Sequence, residues 1–178
     1  MAMHSSRRLP RALGAIALAV GLVAALEGCA DAVALTPAPA ANSVACAAVQ
    51  VRLPTTVESK LAIRATNAQS TAVWGTPAAV VLHCGVPVPT VSDLPCFTLG
   101  SVDWIRDARK DSIVYTTFGR SPAVQVALDP TAATSDVLQD IGDAVSTLPK
   151  DGHACLDPSD VATPSAPATP SASATPAG

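Results

Sequence analysis

The sequence is poor in the residues and motifs by which enzyme active sites are usually recognised. Histidine occurs only 3 times in 178 residues. The chain contains no Gly-x-Ser-x-Gly turn, no glycine-rich phosphate loop and no His-Glu-x-x-His helix. We therefore predict that the protein is not an enzyme and uses no cofactor. The alternative is a hydrolase whose catalytic residues come together only across the fold.

Positive charge is also scarce, and the few lysines and arginines form no cluster. Charged residues make up 14% of the chain, and the formal net charge is −3. A protein that binds nucleic acid usually presents a dense patch of lysine and arginine to the phosphate backbone. The composition therefore argues against nucleic acid as a partner.

The sequence has no apolar run long enough to cross a membrane, but a shorter run lies near its start. Residues 12–26 are almost entirely apolar and follow Arg7, Arg8 and Arg11. A membrane-spanning helix needs roughly 20 apolar residues. Positive charge followed by a run of about 7–15 apolar residues is instead typical of a secretory signal peptide. We therefore predict that the chain is exported.

The apolar run ends in Leu26-Glu27-Gly28-Cys29, which resembles the lipobox of bacterial lipoproteins. In that motif the signal peptide is cut before a cysteine whose sulfur carries diacylglycerol. Leu26, Gly28 and Cys29 fit the motif, whereas Glu27 replaces its usual small or apolar residue. We predict that Cys29 carries a lipid, with acyl chains such as palmitate, at the outer face of the cytoplasmic membrane. An ordinary signal peptide followed by secretion is the alternative.

Cleavage before Cys29 divides the chain into four predicted segments. Residues 1–28 are the lipoprotein signal peptide. Residues 29–42, rich in alanine, proline and threonine, are predicted to form a flexible tether. Residues 43–156 form one folded domain, and residues 157–178 form a disordered tail of proline, alanine, serine and threonine.

The predicted domain contains four cysteines, which predict two disulfides in an exported protein: Cys46, Cys84, Cys96 and Cys155. Three pairings are possible. We favour Cys84 with Cys96, because three prolines bend the segment between them, which leaves Cys46 with Cys155. Metal sites at His83, Cys84, Asp93 and Cys96, or at His153 and Cys155, are less favoured because they lack the close Cys-x-x-Cys spacing.

Hydrophobic periodicity predicts several strands between two helices. Ser43 is the predicted cap of a first helix that ends at Pro54. Strands are predicted around Leu61 to Ile63 and over residues 78–84, 96–102, 113–118 and 123–128, with the charged stretch 103–111 as a separator. A final helix is predicted over residues 135–148, capped by Thr134 or Ser135. This order predicts an α+β fold: a small two-layer sandwich with an antiparallel or mixed sheet of about four to five strands and helices on one face.

Four short segments carry a family resemblance: Trp74-Gly75-Thr76-Pro77, then residues 80–87 (VVLHCGVP), then Val102-Asp103-Trp104, then residues 115–122 (YTTFGRSP). In this order they resemble the actinobacterial secreted or lipid-anchored family called domain of unknown function 3515. The resemblance implies export, cysteine pairing and a small α/β domain. It implies no known activity, cofactor or catalytic residue.

Two side chains are the candidates for contact with a partner. Trp104 is either a core residue or an exposed stacking surface, whereas Trp74, at a strand entry, is predicted in the core. Arg120 lies in a turn, where it is predicted either to pair with Asp103 or Asp129 or to bind a carboxylate or phosphate of a partner. We predict a non-enzymatic envelope lipoprotein whose partner is an envelope protein or a cell-wall component.

Overall fold

A computed structural model of the chain describes residues 32–156. The predicted signal peptide, the predicted lipidation site at Cys29 and the predicted tail lie outside these residues. Within residues 32–156, no helix is long and apolar enough to cross a membrane.

The described part of the chain is built around one antiparallel sheet. Its eight strands are β1 Thr56–Val57, β2 Leu61–Arg64, β3 Thr71–Trp74, β4 Val80–Val86, β5 Cys96–Leu99, β6 Val102–Ala108, β7 Ile113–Phe118 and β8 Ala123–Leu128. They lie in the order β1-β2-β3-β4-β8-β7-β6-β5. Strands β1–β4 and β5–β8 are therefore two meanders, and the pairing of β4 with β8 joins them.

This sheet overturns the predicted two-layer sandwich of four to five strands. The predicted strand over residues 96–102 is two strands, because Gly100, at a positive φ of 61°, and Ser101 form a turn. The charged stretch 103–111 is predicted as a separator, but most of it is β6, in which Asp103 lies between the buried residues Val102 and Trp104. Strand β3 was not predicted, because its four residues are all buried and show no alternation.

Within the described residues, three short helices accompany the sheet: α1 Val44–Gln50, α2 Val137–Asp140 and α3 Gly142–Ser146. The predicted Ser43 cap is confirmed, since its Oγ accepts a hydrogen bond from the Cys46 amide at 3.2 Å. The single helix predicted over residues 135–148 is wrong: it is interrupted between Asp140 and Gly142. Glycine has a low helix propensity, which favours a break at this position.

The main core consists of side chains from one face of the sheet together with residues of the helices. On β8, Val124, Val126 and Leu128 are buried in it, whereas Gln125 and Ala127 on the other face are half-buried. The helical residues in the same core include Val49, Val137, Leu138 and Val145. The second face of the sheet is less completely covered, and it carries the site described below.

Both disulfides differ from the predicted pairing. Cys46 of α1 is bonded to Cys84 of β4, and Cys96 of β5 is bonded to Cys155. The strand registers explain the difference. Cys84 lies opposite Val124 on the core face of the sheet, whereas Cys96 lies opposite Ile105 on the other face. Cys84 and Cys96 therefore point to opposite sides and cannot meet.

The described part of the predicted tether is bound to the domain. Val33 forms a parallel bridge with Thr66, and the Ala40 amide donates to the Gly85 carbonyl at 2.9 Å. Gly85 has a positive φ of 96°, and a Cβ there would overlap the Ala40 main chain. Burial lowers the pKa of His83, partly offset by a hydrogen bond with the main chain of Thr36. Residues 32–42 are therefore held against the domain, whereas a flexible linker would make no such contacts.

Candidate functional site

Arg120 is a buried structural residue and not a surface contact. Its side chain is 4% exposed. Its Nη1 donates to the carbonyls of Ser146 at 2.9 Å and Leu148 at 2.7 Å, and its Nη2 donates to that of Ser101 at 2.6 Å. Within residues 32–156 it forms no ion pair, so the predicted pairing with Asp103 or Asp129 is wrong. The guanidinium instead joins the end of α3 to the turn before β6.

The turn around Arg120 also holds the chain that follows α3. Gly119 has a positive φ of 72°, and any Cβ there would collide with the His153 carbonyl. The Gly119 carbonyl accepts from the Asp151 amide at 3.1 Å, and the Ser121 amide donates to the Pro149 carbonyl at 3.0 Å. Residues 149–153 are therefore fixed against the end of β7.

Both tryptophans are in the core, so of the two alternatives for Trp104 the structure shows the core position. Trp104 is fully buried. Its Nε1 has no hydrogen-bond partner among the described residues. Trp74 is also buried, as predicted, and its Nε1 donates to the Pro54 carbonyl at 3.0 Å. The charged residues that follow Trp104, Arg106 and Asp107, belong to the same strand, β6, and are only half-buried. Charge close behind Trp104 in the sequence therefore does not make Trp104 itself exposed.

The second face of the sheet carries an open cleft of about 480 Å³. Ile105 of β6 and Phe118 of β7 form its floor on the sheet. Its remaining walls are two segments outside the sheet and the Cys96–Cys155 disulfide. These segments are residues 90–92 and residues 153–156. Val91 and Leu156 are 85% and 77% exposed. The cleft is therefore mainly apolar, and large apolar side chains are exposed at it.

The segment 153–156 is held in place by the disulfide and by contacts of Cys155 and His153. The Cys155 amide donates to Asp103 Oδ2 at 3.2 Å, and Asp103 Oδ1 accepts from Thr98 Oγ1 at 2.6 Å. The ring of His153 lies 5.6 Å from that of Phe118, centroid to centroid. These contacts make this side of the cleft a preformed surface, which lowers the entropy cost of binding.

One acid–histidine pair lies beside the cleft. His153 Nδ1 is 2.9 Å from Asp151 Oδ1, and the same oxygen accepts from the His153 amide at 3.0 Å. These main-chain and side-chain hydrogen bonds lower the pKa of Asp151. Ser92 lines the same cleft as His153. The arrangement offers a base held by a carboxylate, with a hydroxyl in the same cleft.

The two metal sites considered from the sequence are not formed. Cys84, Cys96 and Cys155 are all in disulfides, so their sulfurs are not available as thiolate ligands. Across residues 32–156, no group of three or more His, Cys, Asp and Glu side chains is placed to hold a metal ion.

The cleft was missed at the sequence level because its residues are far apart in the chain. Ile105 lies in a stretch predicted as a charged separator, and residues 153–156 lie at the predicted domain end. The one local indication of the cleft is the loop between Pro89 and Pro95, which contains the apolar residues Val91 and Leu94. Both are exposed in the structure. Exposed apolar side chains indicate a binding site when they are grouped at one surface.

Comparison with known proteins gives one family. The family described as "Protein of unknown function (DUF3515)" matches residues 12–152. The match covers all eight strands and the three helices. It confirms the resemblance noted in the four segments above. No curated protein and no solved structure matches the chain.

Proposed function

We propose that this chain, which belongs to the DUF3515 family of proteins of unknown function, is an extracytoplasmic binding module anchored to the membrane by a lipid on Cys29. Its two disulfides indicate an oxidising location outside the cytoplasm. In this proposal the module is not an enzyme, and its partner is a protein or a cell-wall component of the envelope. It binds that partner through the cleft on the second face of the sheet.

The observation that carries the proposal is the mainly apolar cleft, one side of which is held in place. Its volume of about 480 Å³ lies within the range of roughly 300–1,000 Å³ that is usual for small-molecule binding sites. Val91 and Leu156 remain largely exposed beside it. Apolar side chains grouped at a concave surface favour binding, because covering them removes apolar area from water.

The cleft is tested by photo-crosslinking in intact cells from two equally exposed valines. Val91 lies in the cleft, whereas Val44, at 86% exposed, begins α1 on the core side of the sheet. A photoreactive amino acid at position 91 is expected to give a discrete crosslinked product, and one at position 44 is expected to give none. Equal products from both positions, or none from position 91, would contradict the proposed binding site.

The anchor is supported by the arginine-flanked apolar run and the Leu26-Glu27-Gly28-Cys29 sequence. Mass spectrometry of the membrane fraction is expected to find Cys29 as the mature N-terminus with acyl mass added. The substitution Cys29→Ser is expected to move the protein from the membrane to the soluble fraction. A soluble wild-type product that begins at another residue would favour plain secretion instead.

The hydrolase alternative is favoured by one observation, the Asp151–His153 pair in the cleft that Ser92 also lines. A serine nucleophile activated by His153 would react with a fluorophosphonate probe. Under this alternative, labelling is lost in both Ser92→Ala and His153→Gln. Absence of labelling in the wild-type protein would rule against a serine hydrolase at this position.

A further inference from the structure

The last strand of the sheet, β5, has a free edge. The sheet order places β5 at the end opposite β1. The Pro95 carbonyl accepts from the Arg106 amide at 2.8 Å. In an antiparallel pair, every second residue of a strand directs its main-chain N–H and C=O to the partner strand. Because Pro95 is such a residue, Phe97 and Leu99 also face β6, whereas the main-chain groups of Cys96 and Thr98 face away from it. Two amides and two carbonyls therefore face outward along β5.

These outward groups are accessible. Cys96 and Thr98 are both exposed. Among the described residues, no loop or second strand forms a main-chain hydrogen bond with either of them. An unpaired strand edge of this kind is a template for a further strand.

The opposite edge of the sheet is different. Strand β1 has only two residues, and Val57 is fully buried. The turn that follows is already occupied: the Glu58 amide donates to Asp140 Oδ2 at 2.6 Å, and Glu58 Oε1 accepts from Thr134. In the part of the chain that the structure describes, the sheet therefore has one open edge of four residues, at β5.

The open edge and the cleft share a residue. Cys96 belongs to β5 and lines the cleft, and its register partner Ile105 lines the cleft as well. In a strand, alternate side chains point to the same face. A strand paired with β5 would therefore place every second side chain on the face that carries the cleft. Among the residues that line it, only His153 is ionisable in the structure.

We propose that the partner binds as an extended segment that adds a ninth, edge strand to β5 and inserts uncharged apolar side chains, at every second position, into the cleft. This inference rests on the proposed binding function and names the chemistry of its partner. Main-chain hydrogen bonds to Cys96 and Thr98 supply affinity for any extended chain. The cleft supplies specificity, because it favours segments with an apolar side chain at every second position. The four residues of β5 limit the paired part to about the same length.

The first test uses the lipid-free mature protein and a displayed library of random linear peptides. The tightest selected peptide is added, and amide hydrogen exchange is measured by nuclear magnetic resonance. We expect exchange at Cys96 and Thr98 to slow by about tenfold or more, as for one new hydrogen bond each. Exchange at Phe97 and Leu99 is expected to be slow already. Protection that does not alternate along β5, or a library without binders, overturns the proposal.

The second test removes one outward amide and keeps two matched controls. Thr98→Pro deletes the Thr98 N–H at an edge position where proline is tolerated, and it is expected to weaken peptide binding by at least about tenfold. Thr98→Ala keeps that N–H but loses the hydrogen bond to Asp103, which helps to hold residues 153–156, so it is expected to weaken binding less than Thr98→Pro does. Thr56→Pro changes the opposite edge and is expected to bind within about twofold of wild type. Equal loss in Thr98→Ala and Thr98→Pro overturns the proposal. Should Thr98→Pro not fold, the exchange experiment alone decides.

The outcomes separate this inference from the proposed function. Crosslinks from Val91 without alternating protection of β5 would keep the cleft as the site and overturn strand addition. Protection of Cys96 and Thr98 that grows with protein concentration, and not with peptide, would assign the edge to a second copy of the chain and also overturn it. Absence of crosslinks from Val91 would overturn the proposed function itself.

Discussion

At the scale of single residues, Arg120 shows how a buried charge can be held without an acid. The carbonyls of Ser146 and Leu148 lie at the end of α3, where main-chain carbonyls have no partner within the helix. Their partial negative charge also favours a cation. A single guanidinium therefore satisfies two carbonyls at the helix end and a third, that of Ser101, near the start of β6.

We expect Arg120→Met to lower the free energy of unfolding by about 2–4 kcal/mol, because hydrogen bonds of a charged group are lost and buried carbonyls are left unpaired. Arg120→Lys keeps the charge but not the planar fork, and it is expected to recover only part of the loss. Denaturant unfolding measures both. The exposed Arg109→Met, which loses an ion pair with Asp107, should change stability by less than about 1 kcal/mol. Similar values for the two methionine variants would contradict the structural role of Arg120.

Glu58 is a second residue whose contacts predict a measurable effect. Burial raises the pKa of its carboxyl, but hydrogen bonds from the Thr134 amide and hydroxyl and the ammonium of Lys60 outweigh burial and lower the pKa overall. A carboxyl with a lowered pKa in the folded state stabilises the fold above its unfolded pKa, about 4.5. That contribution is lost as the pH falls through the folded pKa.

We therefore expect Glu58→Gln to be less stable than wild type at pH 7 and to approach wild-type stability as the pH falls below about 4.5. Asp129 and Asp151 also have lowered pKa values, so the variant should retain part of the acid dependence. Denaturant unfolding from pH 7 to pH 3 provides the two curves. Parallel curves would show that Glu58 does not contribute to the acid dependence.

At the scale of elements, the sequence predicts local structure better than pairing. The bounds of β7 and β8 are those predicted, and the predicted cap of α1 is confirmed. These features depend on neighbouring residues. The disulfide pairing and the cleft depend on which face of the sheet a side chain occupies, and this follows from the registers of strands distant in sequence. One turn at Gly100 reverses the chain and creates the free edge of β5.

The two disulfides are expected to differ in their reactivity. Loops of 38 and 59 residues give similar chain-entropy terms, about 4 kcal/mol each, so accessibility decides the order. Cys46 and Cys84 are buried, whereas Cys96 is exposed. We expect mild reductant to open Cys96–Cys155 first, as measured by alkylation of the free thiols and mass spectrometry. Because this disulfide lines the cleft, its reduction is also expected to weaken binding at the cleft. Simultaneous reduction of both bonds in the native protein would contradict this.

At the scale of the whole molecule, the docked N-terminal segment restricts how the domain can sit on a membrane. If Cys29 carries the lipid, only three residue steps join it to Ala32, which is a span of at most about 11 Å. Val33 is hydrogen-bonded beside Thr66, at the end of the sheet where β3 begins. The turn between β6 and β7, around Lys110, lies at the other end of the strands. A lipid on Cys29, as proposed, would therefore place one end of the sheet at the bilayer.

This geometry predicts a difference in distance from the bilayer between two surface positions. A fluorophore in place of Gln69, which lies beside the docked segment, is expected to transfer energy to headgroup acceptors more strongly than one in place of Lys110, because transfer falls steeply with distance. Both positions are exposed.

A flexible insertion of about 20 Gly/Ser residues between Asp31 and Ala32 spans roughly 25 Å and should remove the difference, since the domain can then rotate. Equal transfer without the insertion, in a protein shown to carry the lipid, would mean that the docked segment does not orient the domain. The same measurement on Cys29→Ser should give no transfer from either position, because the orientation depends on the anchor and not on affinity of the domain for lipid.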